Sequence, residues 1–364
     1  MKKVLLLFGL LLPFLFLLPY GFGSLKQKIQ HDFSQVVPTH IPSPTPTWQP
    51  VRQTREKQSI FIPYWAVKKD DVFQLYDRLL YFGITSDDDG VSKNEAGYQN
   101  LAAFSRIAPQ ESEKILTFRM TDTQTNFSLL DNEVLKKRVI EQTISLAKQY
   151  NFSGIALDLE VNALPFDSVV KQINTFVKDF SSAAKKDDLS VVLILYGDIF
   201  YRVRPIEVKT VASYADEVMI MAYDLHKIRG EPGPNFPLTG KQAWGYDLQA
   251  MLDDYLRFIP PEKMSIIFGM YGYDWEVDEK GKTIGNGSIM TVNKAEKTFS
   301  PTCSLSDCSI IRDPSAHESK ITYTDQDGTR HIVWYEDEKS AEQKKAYLRN
   351  RGIQSFSYWA YSYF

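Results

Sequence analysis

Two carboxylates spaced two residues apart at the end of an apolar run are the side chains best arranged for chemistry. They are Asp158 and Glu160, in Phe152-Ser-Gly-Ile-Ala-Leu-Asp-Leu-Glu160. Side chains alternate along a strand, so Ile155, Leu157 and Leu159 share one face, and Gly154, Ala156, Asp158 and Glu160 share the other. The aliphatic face suits packing beneath helices, which turns the acids toward the interior of a barrel. Burying two acids there is costly unless they lie near an open end and perform work such as proton transfer. A like charge nearby raises a carboxyl pKa, so Asp158 should help Glu160 keep a proton. The competing reading is an amphipathic strand whose polar face lies in water. Other chemistries find little support. The five histidines form no metal-ligand grouping, and no P-loop or Gly-x-Ser-x-Gly elbow is present. Asp87-Asp-Asp-Gly90 lacks the alternating spacing of a calcium loop and reads as a solvated turn. Neither a metal nor a cofactor is expected.

Such a pair needs a sheet to hold it. Apolar or β-rich runs recur at residues 59–65, 78–85, 114–119, 154–160, 190–196, 217–223, 264–271 and 355–361. Amphipathic helical stretches separate most of them. One covers residues 132–150, with Leu135, Val139, Ile140, Ile144 and Ala147 on one side. Another covers residues 340–349, with a capping box expected in Ser340-Ala-Glu-Gln343 and a stop at Gly352. Alternating strands and helices predict a parallel sheet with covered faces, and eight strands favour a closed (β/α)8 TIM barrel over an open doubly wound sheet. Barrel enzymes carry their chemistry at the C-terminal strand ends, where Asp158 and Glu160 fall. Residues 277–332 are too long for a simple link. They hold Gly/Asn/Ser turns, both cysteines and a hairpin pairing residues 321–324 with 329–335 around Asp325-Gln-Asp-Gly328. A small α+β insertion after strand seven is expected there, either as a wall of the active-site cleft or as a solvent-exposed decoration.

The remaining chain concerns delivery. Lys2 and Lys3 precede an uncharged apolar run from Val4 to Phe22, so residues 1–23 read as a signal peptide or a membrane anchor. Either leaves the rest of the chain exported, extracellular or at the cell surface. Residues 24–57 carry Pro38, Pro42, Pro44, Pro46 and Pro50 and read as a semi-rigid linker. The barrel is expected over residues 58–364. In an exported protein Cys303 and Cys308 can close a short disulfide loop, or remain as two free thiols. The net charge is −3 and no Lys/Arg-rich block lies beyond the extreme N-terminus, so no nucleic-acid partner is expected.

The acid-bearing stretch resembles the Asp-Gly-x-Asp-x-Asp-x-Glu signature of family 18 glycoside hydrolases, the chitinase-like enzymes. Further likenesses follow in order. Met221-Ala-Tyr-Asp224 resembles the family's Met-x-Tyr-Asp motif on strand six, and Gly233-Pro-Asn-Phe-Pro-Leu238 resembles the loop after it. Lys263-Met-Ser-Ile-Ile-Phe-Gly269, continuing through Tyr273 and Trp275, resembles strand seven and its exit. Tyr335-Glu-Asp-Glu-Lys-Ser340 resembles the segment that re-enters the barrel, and Trp359 falls where the family has a tryptophan beneath the sugar. The resemblance runs from about residue 60 to the C-terminus. Two departures stand out. Ser153 and Ala156 replace the first two signature aspartates, and Thr117-Phe-Arg-Met120 stands where a small Ser-x-Gly-Gly-type motif is expected.

The resemblance implies a retaining, substrate-assisted hydrolase of β-linked N-acetylglucosamine-containing glycan, either chitin-type or peptidoglycan. In that scheme Glu160 protonates the leaving oxygen, Asp158 orients the 2-acetamido N–H, and Tyr223, with Asp224, holds the acetamido oxygen for attack. Met221 belongs to the substrate-binding motif, Trp359 floors the sugar, and Tyr64, Trp65, Tyr271 and Trp275 line outer subsites or pack ordinarily. The family's aspartate at the Ala156 position shares a proton with the next one, so its loss should leave Asp158 more fully ionised. A non-catalytic carbohydrate-binding barrel and a surface scaffold on the same fold are the alternatives.

Overall fold

The computed structural model describes residues 55–299 and 303–364. The apolar N-terminal run and nearly all of the proline-rich linker expected from the sequence lie outside the described residues. Among the described residues, no helix is long and apolar enough to cross a membrane.

Eight parallel strands close on themselves. In chain order they are Lys57–Pro63, Arg78–Ile84, Glu113–Arg119, Gly154–Asp158, Ser190–Tyr196, Glu217–Ala222, Met264–Gly269 and Ser355–Trp359, and the first pairs with both the second and the eighth. The alternation read from the sequence separates two cores. Inward residues such as Phe61, Leu80, Ile115, Ala156, Val192, Met219 and Ile267 fill the barrel. Outward residues, including Ile155, Leu157 and Leu159, pack beneath the helices. Helix Glu133–Gln149 shows how the helical layer is fixed: Asn132 caps it by accepting from Val134 N and Leu135 N, and Leu135, Val139, Ile140, Ile144 and Ala147 are buried.

Polar side chains close the barrel floor. Arg78, first residue of the second strand and 1% exposed, makes a bidentate pair with Glu217 at 2.6 and 2.7 Å and donates from Nε to Ser59 Oγ at 3.1 Å. Burial alone would push the Glu217 carboxyl up, but Arg78 outweighs it and holds the group below its ordinary value.

Two expectations need correction. Helix Glu338–Arg349 is capped by Asp337, not Ser340: Asp337 Oδ1 accepts from Ser340 N at 2.8 Å, and Ser340 Oγ accepts from Asp337 N at 2.9 Å. Ser340 therefore serves as the third helical residue of the box, and the helix starts earlier because the aspartate is already a competent cap. The seventh strand stops at Gly269, and Tyr271–Val277 belongs to a second sheet. That sheet is five-stranded and antiparallel, in the order Ser288–Thr291, Tyr271–Val277, Arg330–Tyr335, Ser319–Thr324 and Ser306–Arg312. It is wider than residues 277–332. Tyr271, Tyr273, Trp275 and Val277 alternate onto one face and pack with Ala316 and Trp334, which is why the chain leaves the barrel this early. Helix Val292–Phe299 and the Cys303–Cys308 disulfide complete the insertion.

Candidate active site

The C-terminal rim of the barrel surrounds a hollow of about 150 Å³. Asp158 and Glu160 enter it from the fourth strand, Tyr223 and Asp224 from the sixth, and Tyr271 from the first inserted residue after the seventh. Phe61, Phe82, Ile194 and Trp359 supply its apolar lining. A larger hollow of about 590 Å³ lies elsewhere, between residues 207–214 and 258–263, but its one carboxylate, Glu207, is exposed. Solvated acids of that kind have no reason to change their chemistry, so the smaller hollow is the candidate site.

The acid pair is unusual electrostatically. Asp158 is 2% exposed, and neither of its oxygens has a hydrogen-bond partner among the described residues. Burial pushes its carboxyl well above the ordinary aspartate value, the Glu160 charge adds to the rise, and Arg119 opposes it. Glu160 is half-buried and is also pushed up, chiefly by burial. The Tyr196 hydroxyl, Lys227 and Arg204 pull it down, while Asp224 adds to the rise. Desolvation, rather than the neighbouring charge emphasised from the sequence, is thus the main cause of the rise at Glu160. A carboxyl whose pKa is raised beside a hollow is suited to protonating a leaving group.

The opposite wall is built by a chain of hydrogen bonds. Asp224 lies in the left-handed region at φ 61°, a conformation aspartate tolerates better than most residues. Its backbone N–H donates to Asn235 Oδ1 at 2.8 Å, and its Oδ1 accepts from the hydroxyls of Tyr271 at 2.5 Å and Tyr273 at 2.8 Å. Asn235 Nδ2 in turn donates to the carbonyls of Gly269 and Tyr271. Glu318 accepts from Asn235 N and Phe236 N and is paired with the fully buried Lys344. The insertion and the last helix therefore hold the loop after the sixth strand. Gly269 permits the close approach: a Cβ there would lie 2.6 Å from Tyr223 Cβ. Burial keeps the Tyr223 phenol well above its ordinary value, making it a neutral donor beside the acids.

Trp359 packs edge-on against Phe82 at 4.6 Å and Phe61 at 5.5 Å between ring centroids. Asp158, Glu160, Tyr223, Asp224, Tyr271 and Trp359 are thus brought together as the sequence suggested. Tyr64 and Trp65 stand beside them at the rim, with Trp65 51% exposed and 6.3 Å from Trp359. Met221 is 3% exposed and packs inside the barrel with Val192 and Met219, outside the hollow's lining. Trp275 is fully buried in the inserted sheet and is not part of the hollow's lining, which is the ordinary-packing alternative. Ser153, whose Oγ donates to Lys114 O, sits at the far end of the fourth strand, so the change at that position does not reach the hollow. Ala156 does face the barrel interior, beneath Asp158.

Sequence reasoning missed Arg119, Tyr196, Asn235 and Arg204. Arg119 ends the third strand and its guanidinium lies 5.2 Å from the ring centroids of Tyr64 and Phe82. Tyr196 ends the fifth strand, with the Arg204 guanidinium 3.7 Å from its ring centroid. Both occupy C-terminal strand ends, the signal that would have found them.

The family model described as "Glycosyl hydrolases family 18" matches residues 48–363. The chain belongs to that family. Among its relatives, a Bacillus subtilis (strain 168) protein described as an uncharacterized glycosylase, YvbX, is 27% identical over 243 residues, covering 64% of each chain. The present chain therefore spans less than two thirds of that relative's length. The fold is shared with the Bacillus cereus spore cortex-lytic enzyme SleL, at TM-score 0.68, 19% identity and coverage of 85% of this chain and 71% of that one. It is shared also with a class V chitinase from Nicotiana tobaccum, at TM-score 0.73, 14% identity and coverage of 84% and 94%.

Proposed function

We propose that this family 18 member is a retaining glycoside hydrolase that cleaves β-linked N-acetylglucosamine-containing glycan by substrate-assisted catalysis. The observation carrying the reading is the pair Asp158 and Glu160, both raised by burial, facing one enclosed hollow with Tyr223 across from them and an indole in its lining. Glu160 donates its proton to the glycosidic oxygen as the bond to the anomeric carbon breaks. The substrate's own 2-acetamido oxygen attacks that carbon, Asp158 steadies the acetamido N–H and its developing positive charge, and Tyr223 holds the acetamido oxygen. Water then opens the oxazolinium intermediate and returns a proton to Glu160. Relatives described as a glycosylase, a cortical fragment-lytic enzyme and a class V chitinase support a glycan substrate of this class.

The test is the anomeric form of the first product. NMR of fresh digests of chito-oligosaccharide and of peptidoglycan by the full chain should show the β-anomer. Initial α-anomer would contradict the mechanism. The substitution at Ala156 favours a second reading, a carbohydrate-binding barrel without turnover, for which binding of either glycan with no new reducing ends is the signature.

The hydrolase is proposed to act outside the cytoplasm, delivered by residues 1–23 as a cleaved signal or a retained anchor. Two features support this: the basic start followed by an apolar run, and a disulfide of the kind that persists in oxidising compartments. Protease accessibility on intact cells tests it, and complete protection would contradict it.

A further inference from the structure

The third and fourth strands meet in register at the edge of the hollow, with Thr117 opposite Ala156 and Arg119 opposite Asp158. On their inward faces, Thr117 Oγ1, Arg119 Nε and both Asp158 oxygens are buried and have no partner among the described residues. A buried carboxylate must find a counter-charge or take up a proton. Ala156, beneath it on the same strand, offers neither. Arg119 is a cation at the same height on the neighbouring strand. It acts through space rather than by a direct ion pair, because Tyr64 and Phe82 hold its guanidinium over their rings. An arginine with only a surface role would extend into water; this one is half-buried over two aromatic faces.

We propose that Arg119 is a positioning residue whose fixed positive charge, held at the same height on the neighbouring strand, favours the ionised form of Asp158 against the effect of its burial. The proposal rests on the hydrolase reading and deepens it. The other titratable groups around Asp158 are Glu160 on its own strand, Tyr196 from the fifth strand, and Tyr223 and Asp224 from the sixth. The first and eighth strands contribute the apolar Phe61 and Trp359. Two further cations, Arg204 and Lys227, lie over the Tyr196 ring and act on Glu160, whereas the charge opposing the rise at Asp158 comes from Arg119.

The experiment compares the full-length wild type with Arg119→Met and Arg119→Lys. The carboxyl carbon of Asp158, assigned with Asp158→Asn, is titrated by NMR, and kcat/KM on chito-oligosaccharide is followed against pH. In Arg119→Met the Asp158 titration and the acid limb should both move up by about one pH unit, a roughly tenfold loss of kcat/KM below the limb. Arg119→Lys should stay near wild type, because the charge remains. Arg119→Gln replaces the methionine variant if that one does not fold. An unmoved titration overturns the proposal, as does a loss confined to KM with an unmoved acid limb, which would make Arg119 a substrate-binding residue. Absence of turnover in the wild type would remove the hydrolase reading, while the NMR titration would still decide whether Arg119 governs the charge of Asp158.

Discussion

The Tyr271 hydroxyl donates to Asp224 Oδ1 at 2.5 Å, joining the first residue of the inserted sheet to the exit of the sixth barrel strand. Tyr273 donates to the same oxygen at 2.8 Å. Asp224 is therefore held by the insertion while its neighbour Tyr223 faces the acids. Hydrogen bonds to a charged group contribute about 1.5–3 kcal/mol each. Each single variant, Tyr271→Phe or Tyr273→Phe, should thus lower kcat/KM by up to roughly 10–100-fold, with the double variant showing a larger loss. Steady-state kinetics on chito-oligosaccharide reads this directly. Wild-type rates in the double variant would mean that the insertion does not set the site.

Glu160 is pushed up by burial and partly pulled back by Lys227, an exposed cation. The acid form of Glu160 is the working form, so the alkaline limb of the pH profile reports its deprotonation. Lys227→Met removes a charge that favours the anion, and the limb should move to higher pH. Raising the salt concentration in the wild type should move it the same way, because salt screens exposed charges. A limb that falls instead would reverse the assigned role of Lys227.

At the opposite end of the barrel, the buried Arg78 and the partly buried Glu217 form the floor pair. Arg78→Met should destabilise the protein by about 3–5 kcal/mol, because Glu217 loses its counter-charge, and Arg78→Met/Glu217→Met should recover much of that loss. Glu217 is held below its unfolded value, so its contribution is present above the unfolded pKa and disappears as pH falls through the lower folded one. Thermal melts on the acid side should therefore drop more steeply for wild type than for the double variant. Parallel curves would show that the pair contributes no pH-linked stability.

The barrel was readable because each strand's alternation survives in the sequence: Ile155, Leu157 and Leu159 face the helices while Ala156 and Asp158 face inward. The acid pair was readable for the same reason. Residues joined only by barrel closure were not. Arg119 and Asp158 are far apart in the chain, and Asn235 reaches Asp224 through a loop whose geometry depends on Glu318 in the insertion. The two readings of Trp275 could not be separated in the sequence because aromatic type says nothing about depth. Trp275 lies about 13 Å along its strand from Tyr271, at about 3.3 Å per residue, where Trp334 and Val277 join it in a buried cluster. The helix start at Glu338 was misread because Ser340 satisfies the cap pattern as well as Asp337 does, and only the hydrogen bonds separate them.

The most direct measurement is turnover of acetylated chito-oligosaccharide and of peptidoglycan by the full chain and by Glu160→Gln. The amide keeps the shape of the side chain but has no acidic proton for a departing oxygen. On the glycan the wild type cleaves, the variant should lose about 10²–10⁴-fold in kcat while its affinity for that glycan stays close to wild type. Turnover by Glu160→Gln within a few fold of wild type, or binding with no cleavage by either protein, would contradict the assignment of Glu160 as the proton donor.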